Sequence, residues 1–168
     1  PREAQDALEL LDHLGLESCA VLGTSRGGMI AMFMAATAKS RLLGVALNDV
    51  GPELAAKDLK RIFNYLGVPP TERSWADAAK SRAAQMPGFE NVPHARWMQE
   101  VKNMFDQSAG GLSLRYDTQL REAVRHSFTE PSPDLWPLFD ALDGVPLCLL
   151  RGANSNLLSA QTSQKMFE

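Results

Sequence analysis

The stretch Gly23-Thr24-Ser25-Arg26-Gly27 constrains this chain more than any other. An apolar run, Cys19-Ala20-Val21-Leu22, precedes it, and a helix-forming run from Gly28 to Ala36 follows. A strand that turns at once into a helix, with a serine at the bend, is a nucleophile elbow. The bend strains the serine backbone and lifts its hydroxyl clear of the sheet. Gly23 and Gly27, two before and two after the serine, leave room where strand and helix crowd together, and Gly28 adds more. The chemistry served by this pattern is acyl transfer from a serine nucleophile. The competing reading is a Gly-Ser turn with no chemical role. The strand before the serine and the long helix after it favour the first.

Composition narrows the remaining classes. A length of 168 residues suffices for one domain with a core of its own. The net charge of -3, without a dense Lys/Arg patch, argues against a nucleic-acid partner. The apolar stretches are too short to cross a bilayer, and Pro1–Asp6 has no apolar signal-peptide core, so no membrane partner and a cytoplasmic location are expected. Cys19 and Cys148 both lie in strand-like runs. They read as buried free thiols of a reducing compartment, with pairing across adjacent strands as the alternative. Two separated cysteines and three scattered histidines make no zinc pattern, and Gly23–Gly28 lacks the lysine of a phosphate loop. Neither a metal nor a cofactor is expected.

Periodicity then orders the chain. Residues 3–14 form an amphipathic helix stopped by Gly15, Ser18–Gly23 a short buried strand, and Arg26 to Lys39 a largely apolar helix. Leu42–Leu47 is the next strand and ends at Asn48-Asp49-Val50-Gly51-Pro52. Short connections in the order helix, strand, helix, strand imply parallel neighbours in an α/β sheet. From Glu53 to Leu142 the pattern is helical, broken by proline and glycine, with no buried strand. Helices are predicted over Leu54–Leu66, Ser74–Met86, His94–Gln107, Thr118–His126 and Pro133–Ala141. Val145–Leu150 returns to a buried-strand pattern, Arg151–Leu158 is a loop, and Ser159 caps a last helix.

With these segments in place, the chain resembles the α/β-hydrolase fold family, and specifically its members with a helical cap. The resemblance spans essentially the whole chain. It rests on the elbow at Ser25, on Leu47–Pro52, on the helical insertion and on Leu149-Leu150-Arg151-Gly152-Ala153-Asn154-Ser155-Asn156-Leu157-Leu158-Ser159. It implies an α/β class, a partial α/β-hydrolase fold with a mostly parallel sheet and a helical cap inserted between two core strands. Residues 1–52 and 143–168 would be the incomplete core and 53–142 the cap. Family members carry further strands on both sides, so the chain is expected to be an internal fragment of a longer protein. Such a piece would be inactive alone and prone to aggregate through uncovered edges and apolar faces.

The resemblance also assigns chemistry. A serine hydroxyl needs a base, and the base needs an orienting group. The family order is serine, acid, histidine, and none of His13, His94 or His126 follows the last core strand. All three read as helix residues, with His126 as a C-terminal dipole partner and the one to reconsider, because cap residues can overhang a site. Two positions match the acid. Asn156, in the loop after the strand at 145–150, matches one, but asparagine does not stabilise an imidazolium. Asp49, 24 residues after Ser25, matches the other, against a reading as a turn-forming carboxylate before Gly51-Pro52. The Arg26 backbone N–H is the expected oxyanion donor, and its side chain either binds a substrate carboxylate or forms a surface salt bridge. Trp75, Trp97, Met98, Met104, Phe105, Trp136 and Phe139 read as packing residues of the cap. The implied function is a serine hydrolase acting on a small carboxylic ester or lactone through an acyl-enzyme. The alternatives are a carbon–carbon bond hydrolase of the same fold and a non-catalytic hydrolase-like binding protein, which Asn156 favours.

Overall fold

The computed structural model describes residues 2–53, 62–86, 88–127, 133–155 and 157–168. The chain divides into two compact units, Pro1–Lys60 with Ser132–Glu168, and Arg61–Pro131.

The first unit is built on three parallel strands, β1 (Cys19–Thr24), β2 (Leu42–Asn48) and β5 (Leu147–Leu150), in the order β1-β2-β5. Helix α1 (Arg2–His13) leads into β1, and α2 (Arg26–Ala38) with a 3₁₀ turn (Lys39–Arg41) joins β1 to β2. A helix between two parallel neighbours is the expected crossover. Alternation along the strands places Val21, Val45, Leu47 and Leu149 on the face that packs with Ala31, Met32 and Ala35 of α2. Met32 and Leu47 are wholly buried there. The other face leaves Leu22 and Leu150 exposed. Cys148 lies on it as well, so the expectation of two buried thiols is corrected: Cys19 is half-buried, Cys148 is exposed, and both are free. They are not neighbours either, because β2 runs between their strands.

Helix α1 uses Ala4 and Leu11 as its buried stripe, and Gly15 ends it at φ 67°. Helix α6 (Trp136–Asp140) belongs to this unit, although sequence places it in the insertion. Its Trp136 and Phe139 meet edge-to-face at 5.7 Å, and Phe139 packs on the sheet core instead of a cap core. Helix α7 (Ala160–Lys165) closes the unit, with the Ser159 hydroxyl accepting from the Thr162 N–H at 2.8 Å as a cap.

The second unit holds α3 (Trp75–Ala84), α4 (His94–Met104) and α5 (Leu120–Ser127). Of the helix predicted over Leu54–Leu66, residues 54–61 lie outside the described residues and 62–65 are helical. Ser74 caps α3 through the Asp77 N–H at 3.2 Å. The expectation of an all-helical insertion is corrected: the helix predicted to run to Gln107 stops at Met104. There the chain enters an antiparallel hairpin, β3 (Phe105–Ser108) and β4 (Gly111–Leu114). Phe105, Leu112 and Leu114 share the hairpin face that packs on α3 and α4, around buried Ala78, Ala79, Trp97 and Val101. Trp75, Met98 and Met104 border the same cluster, as packing residues should.

Candidate active site

Parallel strands end on the same side of a sheet, and loops leaving that side are where α/β sheets gather chemistry. Ser25 follows β1, Asp49 follows β2, and the loop from Arg151 to Leu158 follows β5. The register pairs Thr24 with Asn48 and Asn48 with Leu150, so the three departures are adjacent. Backbone bonds extend the ladder past the strands. The Ser25 N–H donates to the Asn48 carbonyl at 3.3 Å, and the Asp49 N–H to the Leu150 carbonyl at 2.8 Å. The Asn48 side chain also donates to the Thr24 hydroxyl at 3.1 Å.

Ser25 stands at the N-cap of α2 with φ 50° and ψ −117°. Non-glycine residues resist positive φ, at a cost of about 1–3 kcal/mol. A serine at an N-cap ordinarily accepts a hydrogen bond from the helix's first turn. This one makes no such bond, and among the described residues its hydroxyl has no hydrogen-bond partner. The residue is exposed, so the hydroxyl is held in the open and uncommitted. Arg26 is the first residue of α2, and its backbone N–H has no acceptor within the helix. Its guanidinium settles on the salt-bridge alternative, with Nε donating to both carboxylate oxygens of Glu3 at 2.8 and 3.0 Å.

The glycines around the bend divide unequally. A Cβ at Gly23 would sit 2.5 Å from the Gly28 Cα and 2.6 Å from the Gly27 carbonyl oxygen. A Cβ at Gly28 would strike the Val50 side chain. A Cβ at Gly27 would meet nothing within 4 Å. The expected room around the serine is therefore supplied by Gly23 and Gly28, and the role given to Gly27 is corrected.

Asp49 is a second non-glycine residue at positive φ, 54°, and Ser25 and Asp49 are the two such residues among those described. Its Oδ2 accepts from the Ser155 hydroxyl at 2.7 Å. Its Oδ1 is buried and has no partner among the described residues. The Arg151 guanidinium ties the loop, with Nε donating to the Leu158 carbonyl at 2.8 Å and longer bonds to the carbonyls of Ala153 and Ser155. Asn156, the other position matched to the acid, lies outside the described residues.

Four residues past Asp49, Glu53 accepts from the Thr162 hydroxyl at 2.6 Å, Lys165 at 3.1 Å and the Trp136 indole N–H at 3.2 Å. The Thr162 hydrogen bond, then that of Lys165, holds its carboxyl below the ordinary glutamate range. Sequence reasoning passed over Glu53, since nothing local signals a carboxylate gathering donors from two distant helices.

The histidines are scattered between the units: His13 ends α1, His94 opens α4 and His126 lies on α5. Among the described residues no three His, Cys, Asp or Glu side chains converge as a metal site would require. None of the described helices is long and apolar enough to cross a membrane. The second unit carries a cavity of about 400 Å³ lined by residues such as Tyr65, Val68, Val101, Met104 and Tyr116.

A family model described as the alpha/beta hydrolase fold matches residues 3–92. A 3-hydroxybutyrate-oligomer hydrolase of Cupriavidus necator is 32% identical over 174 residues, covering 99% of this chain and 59% of its own. The crystal structure of an alpha/beta hydrolase from Novosphingobium aromaticivorans superposes with a TM-score of 0.83 at 34% identity, over 98% of this chain and 59% of that one. E-2-(Acetamidomethylene)succinate hydrolase superposes with a TM-score of 0.81 at 19% identity, over 97% of this chain and 59% of that one, a likeness of fold alone. The chain thus spans about three fifths of the length of these relatives.

Proposed function

Since the chain belongs to the alpha/beta hydrolase fold family, we propose that Ser25 is the nucleophile of a serine hydrolase acting on a carboxylic ester or lactone. What supports this most is the Ser25 backbone, at φ 50° and ψ −117°, with an exposed hydroxyl that does not cap the helix it precedes. In the proposed reaction Ser25 Oγ attacks the carbonyl carbon and its proton passes to an imidazole. That histidine is supplied, in this reading, from outside these 168 residues. The Arg26 N–H, at the positive end of α2, donates one hydrogen bond to the developing oxyanion. Collapse of the tetrahedral intermediate expels the alcohol, which takes its proton from the imidazolium. Water, deprotonated by the same base, then attacks the acyl carbon, and the acyl–Oγ bond breaks as Ser25 Oγ takes the proton back from the imidazolium, releasing the acid.

Asp49 is the acid in this reading, in preference to Asn156. It is a carboxylate, it departs from the strand adjacent to Ser25, and it keeps one buried oxygen unspent. The unit Arg61–Pro131 is proposed as the cap insertion of this fold. The Cupriavidus relative is named for hydrolysing 3-hydroxybutyrate oligomers, which makes a short ester-linked hydroxyacid oligomer the first substrate to try.

The test is made on the whole protein. A fluorophosphonate probe should label Ser25, and Ser25→Ala should abolish both labelling and p-nitrophenyl butyrate hydrolysis. Asp49→Asn should lower kcat by roughly 10⁴-fold, the size of that exchange in a serine-protease triad, whereas Asn156→Asp should leave it within about tenfold. An unlabelled Ser25 ends the enzymatic reading, and a silent Asp49→Asn moves the acid to the other loop.

A further inference from the structure

Ser155 is tied to Asp49 in a way that leaves neither group a choice. The Ser155 hydroxyl oxygen lies 3.1 Å from the Leu157 backbone nitrogen and 3.3 Å from that of Leu158, both of which donate to it. Backbone N–H groups cannot accept, so both lone pairs of the hydroxyl are engaged and its one proton has a single outlet. That outlet is Asp49 Oδ2, at 2.7 Å. An ionised carboxylate only accepts, so the direction of the bond is fixed and its acceptor is charged, the stronger kind of hydrogen bond.

The surroundings hold Ser155 itself. Its N–H donates to the Gly152 carbonyl at 2.9 Å, and its carbonyl takes a bond from Arg151. Asp49 is fixed from its own side by the backbone bond to Leu150 and by its positive φ. One carboxylate oxygen is thereby pinned. The other is buried without a partner among the described residues. Leaving a buried acceptor unmet is unfavourable, and charged acceptors suffer most. Oδ1 is therefore an acceptor kept open for a donor that arrives from elsewhere.

We infer that Ser155 is a positioning residue: it holds the Asp49 carboxylate in the one orientation that presents Oδ1 to the N–H of the catalytic imidazole. This rests on the reading of Asp49 as the acid. Ser155 touches neither substrate nor reacting atoms and acts through Asp49 alone. Its contribution should appear in kcat, because imidazolium forms during the reaction and not on binding, and it should vanish once the carboxylate is gone.

The test is a double-mutant cycle in the whole protein with p-nitrophenyl butyrate. Ser155→Ala should lower kcat roughly ten- to hundredfold, the range expected for losing a hydrogen bond to a charged group, with KM nearly unchanged. Ser155→Thr, which keeps the hydroxyl, should recover most of that loss. In an Asp49→Asn background Ser155→Ala should cost nothing further. Should Ser155→Ala melt below the assay temperature, Ser155→Cys keeps the shape with a weaker donor and should show the same fall in kcat. Wild-type kcat in the alanine or cysteine variant overturns the inference, as does an alanine loss that persists undiminished without the Asp49 carboxylate, since the serine would then only brace its loop. A silent Asp49→Asn takes down the acid assignment and this inference together. A disabling Asp49→Asn with a silent Ser155→Ala takes down the inference alone.

Discussion

Both units contain residues at positive φ, but they fill them differently. In the Arg61–Pro131 unit the described positions are Gly67, Gly88 and Gly111, where no side chain opposes the conformation. In the sheet unit, beside Gly15 and Gly144, the same region of backbone space is occupied by Ser25 and Asp49. Those two follow neighbouring strands and carry the polar groups of the candidate site. Backbone strain of this kind persists only where the surroundings over-determine it. Here the ladder bonds to Asn48 and Leu150 and the close approach of Gly23 to Gly28 do so. The second unit has no such arrangement among its described residues; it is held by an ordinary apolar core and by ties such as Arg82 to Glu100 at 2.9 Å. One unit holds a serine and an aspartate against local backbone preference, and the other fills its described positive-φ positions with glycine.

Three experiments probe that contrast. The largest effect is expected in the second unit. Trp97 is 5% exposed at the centre of its core, so Trp97→Ala should cost about 3–5 kcal/mol in chemical denaturation. A loss below about 1 kcal/mol would show that this unit has no core of its own to disrupt. Next comes the bend. Gly23→Ala places a methyl against backbone that cannot swing away, and a loss of about 3 kcal/mol is expected together with loss of Ser25 labelling. Gly27→Ala, with open space at its Cβ, should be neutral or stabilising by up to about 1 kcal/mol. Equal losses at the two glycines would mean that the bend is not held as described.

The smallest effect is expected at Glu53, which is exposed to screening by solvent. Its folded-state pKa lies below the ordinary 4.5, so its bonds to Thr162, Lys165 and Trp136 contribute stability above that value. That contribution is lost as pH falls through the depressed pKa. Melting curves of wild type and Glu53→Gln should therefore separate at neutral pH and converge in acid. A separation that persists below the folded pKa would show that shape, and not charge, is what Glu53 supplies.

What could be read from sequence follows how local the cause is. The turn at Ser25 is written within a few residues, and so is the cap at Ser159, because each depends on neighbours along the chain. The parallel pairing of β1 with β2 follows from one intervening helix. The hairpin was hidden because its strands are four residues long, too short for alternation to outweigh the helical pattern of α4 running into Phe105. Its signal was present in Gly110-Gly111 followed by Leu112-Ser113-Leu114, a turn before an alternating run. The unequal duties of Gly27 and Gly28 depend on where Val50 packs, and the side-chain partners of Asp49 and Glu53 lie 83 to 112 residues away. Spacing does not reveal such meetings.

The separation of Asp49 from Ser155, 106 residues, has a further consequence during synthesis. At ribosomal speeds of about 5–20 residues per second, Asp49 leaves the exit tunnel roughly 5–20 s before the serine bonded to its carboxylate. The whole Arg61–Pro131 unit is made in that interval. A nascent chain thus carries its bent serine early, and the bond between Asp49 and Ser155 closes only after the Arg61–Pro131 unit has been made.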